Sequence, residues 1–282
     1  MNTNQRCNNM GILKNLTEEY FGNTIREEDE INIDGLDVEI VSFTDNNGKF
    51  HKKGYKPKNK KNLQKLLERM IKMRGDEGDF NDIDTSDIKD MKALFQFNEK
   101  FNGDITGWNV SNVKSMNNMF SYTKSFNQPI GNWDVSRVRN MSCMFFYATS
   151  FNQDISKWKF PKVIDMYGMF EGAESFNQDI SKWEFPKVTD MKSMFEGASS
   201  FNQDISKWEF PKVENMSGMF CYAESFNQPI GDWEFPNVTD VSYMFFYATS
   251  FNQDLSKWDL KGKNKTEIFN GCPIKDEYKP KM

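Results

Sequence analysis

The side chains that most often perform acid–base or nucleophilic chemistry are scarce in this chain. Its single histidine, His51, lies in a lysine-rich stretch, so a histidine-based catalytic site would depend on it alone. We interpret His51 as a solvated loop residue. The sequence carries no glycine-rich phosphate loop, nucleophile elbow or cluster of metal-ligand residues. It therefore predicts a protein that is not an enzyme and binds no cofactor.

Carboxylates recur at a fixed step, which raises calcium binding as a possible chemistry. Asp154, Asp179 and Asp204 lie 25 residues apart, and Asp104 and Asp254 extend the series. Stacked at strand spacing, such aspartates would repel by ~1 kcal/mol per pair in water. Bound calcium would offset this repulsion, and so would neighbouring lysines and solvent. The glycine-rich signature of calcium-binding coils is missing from the sequence, so we expect no metal site.

The aspartates belong to a longer repeat. The segment Phe-Asn-Gln-Asp-Ile-Ser-Lys-Trp occurs verbatim at 151–158, 176–183 and 201–208. All seven tryptophans, from Trp108 to Trp258, follow the same 25-residue step without insertion or deletion. A fixed period of this length is typical of repeat architectures, whose long regular surfaces suit binding better than catalysis.

The period divides the chain into three regions. Residues 1–75 do not repeat, and their patterns predict a short helix from Leu13 to Phe21, a hairpin from Val38 into Phe50, and a capping helix near 60–74. Residues 76–260 form the array of 25-residue repeats. Residues 261–282 lose the apolar pattern and are interpreted as a C-terminal cap and tail.

Within one repeat, the apolar spacing predicts the local structure. Val163, Met166, Met169 and Phe170 follow a helix-like spacing, and the stretch from Phe176 to Ile180 alternates like a short strand. The positions assigned to the repeat framework are Phe176, Asn177, Ile180, Trp183, Met191, Met194 and Phe195. The predicted fold class is α/β: a leucine-rich-repeat-like solenoid of about seven 25-residue turns behind a small N-terminal α/β cap. A parallel sheet would form one face and short helical turns the other.

Two columns of the repeat allow either a packing or a binding role. The asparagines at the position of Asn177 would hydrogen-bond along the array or face a ligand, and we favour hydrogen bonding. The tryptophans would form a buried core or an exposed platform for carbohydrate or peptide, and we favour burial.

Positions at which the copies differ are the candidates for specific binding. The pair after each Met-Phe is aromatic in some copies and Glu-Gly in the two middle ones, at 171–172 and 196–197. The possible partner contacts are Tyr122, Phe146, Tyr147, Tyr222, Phe246 and Tyr247, because aromatic residues are enriched at interfaces. The alternative is that these aromatics fill the core.

The repeat resembles a known family. Val188-Thr189-Asp190-Met191, Met194-Phe195-Glu196-Gly197-Ala198, Ser200 to Ser206 and Trp208 resemble the BspA-like leucine-rich-repeat proteins that carry the 25-residue mycoplasma-lipoprotein-type repeat. The resemblance covers about residues 76–275. It implies a bacterial protein that is often displayed on the cell surface, with adhesion to host proteins in a few members.

Together these observations predict a non-enzymatic scaffold that binds a protein partner of unknown identity. A surface or secreted adhesin is one alternative, an uncharacterised enzyme activity in the N-terminal region is a second, and a structural protein without a ligand is a third. The net charge of −5 argues against nucleic acid as a partner, despite the lysine-dense stretch from Lys52 to Lys65.

The remaining expectations concern location and association. No signal peptide or membrane span is recognised, so we expect a cytoplasmic monomer, although the family resemblance suggests surface display or secretion. The four cysteines are expected to be free thiols, because Cys143 and Cys221 lie about three turns apart, beyond disulfide reach.

Overall fold

The computed structural model describes residues 31–281, so the predicted helix from Leu13 to Phe21 lies outside the described residues. The regular elements are β1 (Val38–Thr44), β2 (Phe50–Pro57), α1 (Lys60–Arg74) and a short 3-10 helix at Asp276–Tyr278. β1 and β2 pair as an antiparallel hairpin with an irregularity between Val41 and Phe43. None of the helices in the described part of the chain is long and apolar enough to cross a membrane.

The hairpin and α1 lie where the sequence predicts them. In the hairpin turn, the Asp45 carboxylate accepts the backbone N–H groups of Asn47 and Lys49 at 3.0 and 2.9 Å. The side chain of Asn59 caps the start of α1, and Gly75 ends it with a left-handed φ of 79°. The helix buries Leu63, Leu66, Leu67 and Met70, which closes the first end of the repeat core.

Residues 76–275 stack copy on copy, and one position of each copy bridges to the equivalent position of the next. Single parallel bridges join Asp90 to Ser115, Asp165 to Asp190 and Asp240 to Asn264, with the intervening copies linked in the same way. The predicted strand from Phe176 to Ile180 is wrong. The segment from Val163, predicted as a short helix or helical turn, forms turns and an isolated bridge and no helix. The parallel sheet and helical face are therefore replaced by a column of single-residue bridges flanked by tight turns.

Backbone hydrogen bonding explains this correction. Met166 and Gly168 donate their N–H groups to carbonyls of the next copy at 3.0 and 2.9 Å, whereas Met169 donates within its own copy to Met166 at 3.2 Å. Alternate N–H groups thus leave the copy, and no continuous i to i−4 ladder forms. Consecutive turns of this kind place apolar residues three apart, as a helix does. Gly168 and Gly172, with φ of 55° and 68°, take the left-handed position of two such turns.

The core is a set of columns that run through all the copies. The six apolar framework residues named above are buried, with Phe176 and Ile180 at 0% exposure and Trp183 at 3%. Phenylalanine rings stack between copies, for example Phe151 on Phe176 at a centroid distance of 6.1 Å. Each tryptophan is at most 4% exposed, and its indole N–H typically donates to a carbonyl 28 residues earlier, as Trp183 does to Ile155 at 3.3 Å. The prediction that the tryptophans are buried is confirmed.

The asparagine column serves the same stacking. The Asn152 side-chain oxygen accepts the backbone N–H of Asn177 at 2.9 Å and the side-chain amide of Gln178 at 2.9 Å. Asn177 repeats this toward the next copy, where it accepts from Asn202 at 3.0 Å. The prediction of a hydrogen-bonded amide stack is confirmed, and these amides are occupied by the fold rather than by a ligand.

The aspartates also have a local role. The carboxylate of Asp179 accepts the backbone N–H of Ser181 at 2.9 Å, and the same turn recurs at Asp154 and Asp204. Hydrogen bonding from the Ser181 side chain, and then from its backbone N–H, holds the pKa of Asp179 below its ordinary value. No group of three or more metal-ligating side chains occurs among residues 31–281. The aspartate series is accounted for by turn formation.

Candidate interaction surface

A column of tyrosines lies on the outside of the stacked copies. We define the tyrosine column as the equivalent positions Phe97, Tyr122, Tyr147, Gly172, Gly197, Tyr222 and Tyr247. Each of these residues has a left-handed φ between 52° and 68°. The backbone N–H of Tyr222 donates to the next copy at 2.8 Å, so the stack fixes the main chain while the ring projects outward. A tyrosine is therefore not required here for the turn, since glycine adopts it at lower cost.

The rings of the column form two separate stacks. Phe97, Tyr122 and Tyr147 are stacked with successive centroid distances of 5.1 and 5.3 Å. Tyr222 and Tyr247 form the second stack at 5.5 Å. Tyr147, Tyr222 and Tyr247 are 40%, 47% and 45% exposed, which is unusual in an array whose other aromatic columns are buried.

The remaining predicted partner contacts are less accessible. Tyr122 and Phe246 are partly buried. Phe146 is 5% exposed and forms a small cluster with Cys143, against which Tyr122 and Tyr167 pack. The packing alternative therefore applies to Phe146, while the tyrosines remain available for contact.

Two glycines interrupt the column between the stacks. The ring of Tyr147 covers Gly172, where an added Cβ would lie 2.9 Å from ring carbons. At Gly197 an added Cβ would meet only the backbone of Gly172, at 3.8 Å. The column thus lacks two rings, and the space above Gly197 is open.

A groove lies beside this interruption. We define the aromatic groove by Tyr167, Glu171, Glu196, Tyr222, Asp240 and Tyr243, which line a cavity of about 390 Å³. Tyr243 is 43% exposed, and its ring meets that of Phe246 edge-on at 5.7 Å. Clefts of this size accept side chains or small ligands.

The two glutamates of the groove carry unusual electrostatics. Burial, and then the nearby Glu196, raise the pKa of Glu171 to about 8, against a weaker opposing effect of Lys192. Burial also raises the pKa of Glu196, although Ser193, Lys192 and Cys221 favour its charged form. Because burial and both glutamates raise the pKa of the Cys221 thiol, this cysteine is no activated nucleophile.

The groove was only partly visible in the sequence. The Glu-Gly pairs at 171–172 and 196–197 stand out as departures from the aromatic copies. Tyr167 and Tyr243 were missed, because each is a single change at a position that otherwise varies. Aligning the copies column by column shows Tyr243 where Ser193 and Gly218 stand in neighbouring copies.

The position of His51 differs from the prediction of a solvated loop residue. It lies on β2 and is 9% exposed, with Nε2 2.8 Å from the Asp45 carboxylate and its ring stacked on Phe43 at 5.1 Å. The interpretation as a solvated loop histidine is wrong, since the hairpin folds this ring inward. Asp45 also caps the hairpin turn, and the adjacent Asn46 donates its backbone N–H to Gly107 of the array at 2.8 Å. The bond from Asn46 to Gly107 joins the hairpin turn to the array.

The structure also bears on the predictions for the cysteines and for the lysine-dense stretch. Cys221 and Cys272 are free, whereas Cys143 is disulfide-bonded, so the expectation of four free thiols is wrong. The distance argument in the sequence excluded only the pairing of Cys143 with Cys221. Within the lysine-dense stretch, Lys56 pairs with Asp84 and Asp87 at 3.2 and 3.3 Å, which gives it an intramolecular role.

These features define a repeat protein whose copies stack in register through the columns described above. Residues 61–183 and 165–278 each match the family described as Mycoplasma protein of unknown function, DUF285. The chain belongs to this family. No curated protein and no solved structure matches the chain.

Proposed function

We propose that this protein is a non-enzymatic scaffold, a solenoid related to the BspA-like leucine-rich-repeat proteins, that binds a protein partner through the tyrosine column. The observation that carries the proposal is the contrast between columns. The phenylalanine, tryptophan and methionine columns are buried in the core, and the asparagine column is hydrogen-bonded between copies. Tyr147, Tyr222 and Tyr247 instead project outward at 40–47% exposure.

The chemistry of tyrosine supports a binding role. A tyrosine offers a large amphipathic surface with little side-chain entropy to lose, and tyrosines are enriched at the centres of interfaces. The left-handed backbone at these positions favours glycine, which the chain itself uses at 172 and 197. Retaining a tyrosine there costs stability without filling the core, which is consistent with selection for contact.

The monomeric state and the cytoplasmic location belong to the same proposal. The repeat core is capped at one end by α1 and at the other by the segment after Leu260, from which Ile268 and Ile274 enter the core. Capped ends remove the surface through which copies would stack end to end. Light scattering after size-exclusion chromatography measures the state directly.

The experiment compares two glycine substitutions with a control. Tyr147→Gly and Tyr222→Gly, combined in one chain, install the residue that Gly172 and Gly197 already show to be compatible with the turn. The control is Ile164→Thr, because Ile164 is 45% exposed and threonine occupies the equivalent position at Thr189 and Thr239. Each chain is used as bait in an extract of the native host, with quantitative mass spectrometry of the bound proteins.

We expect the wild type and the control to recover the same partner, and the double variant to lose it. Equal recovery by all three chains would contradict the proposal. Circular dichroism and the unfolding midpoint establish that the double variant keeps the fold.

A further inference from the structure

We propose that the aromatic groove binds the guanidinium group of an arginine side chain presented by a partner protein. This inference rests on the proposed function and names the chemistry that the partner must supply at one position. It is carried by the shape of the groove, by its ring-bearing walls and by its balance of charge.

The shape places the groove within reach of any partner on the tyrosine column. Tyr222 belongs to both surfaces, since it begins the second ring stack and lines the groove. Glu171 and Glu196 directly precede the two glycines, and the column is open above Gly197. A partner that covers Tyr147 and Tyr222 therefore lies across the groove.

Tyrosine rings line the aromatic groove at both of its ends. Tyr167 lies at one side, where Lys192 Nζ already rests 5.9 Å from its ring centroid. Tyr222 and Tyr243 lie at the other, and both are more than 40% exposed. A cation placed over tyrosine is attracted by the ring, and a planar guanidinium also stacks on it.

The charge balance selects a cation. Three carboxyl groups, those of Glu171, Glu196 and Asp240, line the groove against one ammonium, that of Lys192. The raised pKa of Glu171 means that this group reaches full charge only above about pH 8 or beside a bound cation. Phosphate or an acidic side chain would add repulsion. A guanidinium would instead pair with the two glutamates, which come from consecutive copies and approach the same cavity.

Arginine fits better than lysine for a geometric reason. Its five N–H donors form a rigid planar fork that meets two carboxylate groups at once, whereas an ammonium is a compact and strongly hydrated point charge. Arginine also stays protonated at every pH at which the glutamates titrate. The glutamates therefore ionise to meet it, and binding releases protons to solvent.

The probe is a short capped peptide, acetyl-Gly-Arg-Gly-Arg-Gly-amide, and its reference is the same peptide with citrulline in place of arginine. Citrulline keeps the shape and removes the charge. Binding is followed by NMR titration of the isotope-labelled full chain at pH 7.5 and 8.5. The groove variant is Glu171→Gln with Glu196→Gln, and the matched variant is Glu209→Gln with Glu234→Gln, which makes the same charge change at exposed positions outside the groove.

We expect saturable binding of the arginine peptide, binding of the citrulline peptide at least 10-fold weaker, and a loss of at least 10-fold in affinity in the groove variant but not in the matched one. The inference is overturned if citrulline binds as well as arginine, or if both glutamine variants behave like the wild type. Failure of the proposed function would give a different result: the bait experiment would recover the partner equally with and without Tyr147 and Tyr222. Partner recovery that needs the tyrosines, without arginine binding, would refute the groove inference alone.

Discussion

The buried carboxylate of Glu171 gives the most quantitative prediction. Its pKa of about 8 results mainly from burial and secondly from Glu196, with Lys192 opposing. Burial is the main cause of the raised pKa of Tyr147 and of Cys221, and the ionised Glu171 carboxylate adds to the effect on each. Replacing Glu196 by Gln removes the second cause and leaves the first. We therefore expect Glu196→Gln to lower the pKa of Glu171 while keeping it above 4.5.

The same group sets a pH dependence of stability. Because the pKa is raised on folding, the folded state holds a proton that the unfolded chain releases, so the associated stability is present below pH 4.5 and is lost as pH rises through about 8. A rise from 4.5 to about 8 corresponds to at most about 5 kcal/mol, at about 1.4 kcal/mol for each pKa unit. Glu171→Gln removes this dependence.

Two measurements examine this reasoning. Carbon-13 NMR of labelled glutamate side chains, assigned by difference against Glu171→Gln, gives the pKa directly. Urea denaturation at pH 5 and pH 9 is expected to show a larger loss of unfolding free energy in the wild type than in Glu171→Gln, by as much as ~4 kcal/mol, because the unfolded chain has already released most of this proton at pH 5. A Glu171 pKa near 4.5, or identical pH dependence in the two chains, would refute the account of a buried, proton-holding carboxylate.

Three further predictions address the stack and the hairpin turn. Trp208→Phe loses the indole bond to Ile180, whereas Trp133, equally buried at 3%, has no hydrogen-bond partner for its indole nitrogen among the described residues. We expect Trp208→Phe to lower the unfolding free energy by about 1 kcal/mol more than Trp133→Phe, and equal losses in chemical denaturation would contradict this. Asn177→Ala leaves the backbone N–H of Asn202 in the next copy without its acceptor. We expect this to lower the unfolding free energy by about 1–3 kcal/mol and to accelerate hydrogen exchange first at the Asn202 amide. Unchanged exchange at that amide would oppose the amide-stack interpretation. Burial would raise the pKa of Asp45, but the hydrogen bonds to its carboxylate, led by the one from His51, hold this pKa below 3.8. The charged carboxylate therefore stabilises the fold above pH 3.8, and this stabilisation fades as pH falls through the lowered pKa. Asp45→Asn should therefore destabilise the protein at pH 7 and much less at pH 3, as thermal denaturation at both values would show.

Much of the architecture follows from residue spacing. The 25-residue step, the buried columns and the amide stack can be read from identical residues at identical intervals, because a repeat that stacks must place like on like. The hairpin and α1 follow from strong local signals, such as the Asn-rich turn and the stop at Gly75.

The local structure of each copy could not be predicted in this way. An apolar residue every third position is shared by a helix and by consecutive turns, and the choice between them depends on bonds to the next copy. Met166 and Gly168 make such bonds, which no pattern within one copy reveals. The burial of His51 likewise depends on the hairpin folding against the array.

The candidate site was predictable in part for a related reason. Tyr122, Tyr147, Tyr222 and Tyr247 occupy one column and so were found together, but exposure and burial within the column depend on the neighbouring copy. The groove combines residues from several copies and several columns, including Tyr243. Such a combination becomes visible only when the copies are placed in three dimensions.

The central claim, that the tyrosine column is where a partner binds, is tested most directly by site-specific photocrosslinking in the native host. A benzophenone amino acid is placed at position 222, within the column, or at position 164, which is similarly exposed but outside it. The account predicts a discrete crosslinked protein from position 222 and none from position 164. A crosslink from position 164 with none from position 222 would contradict it.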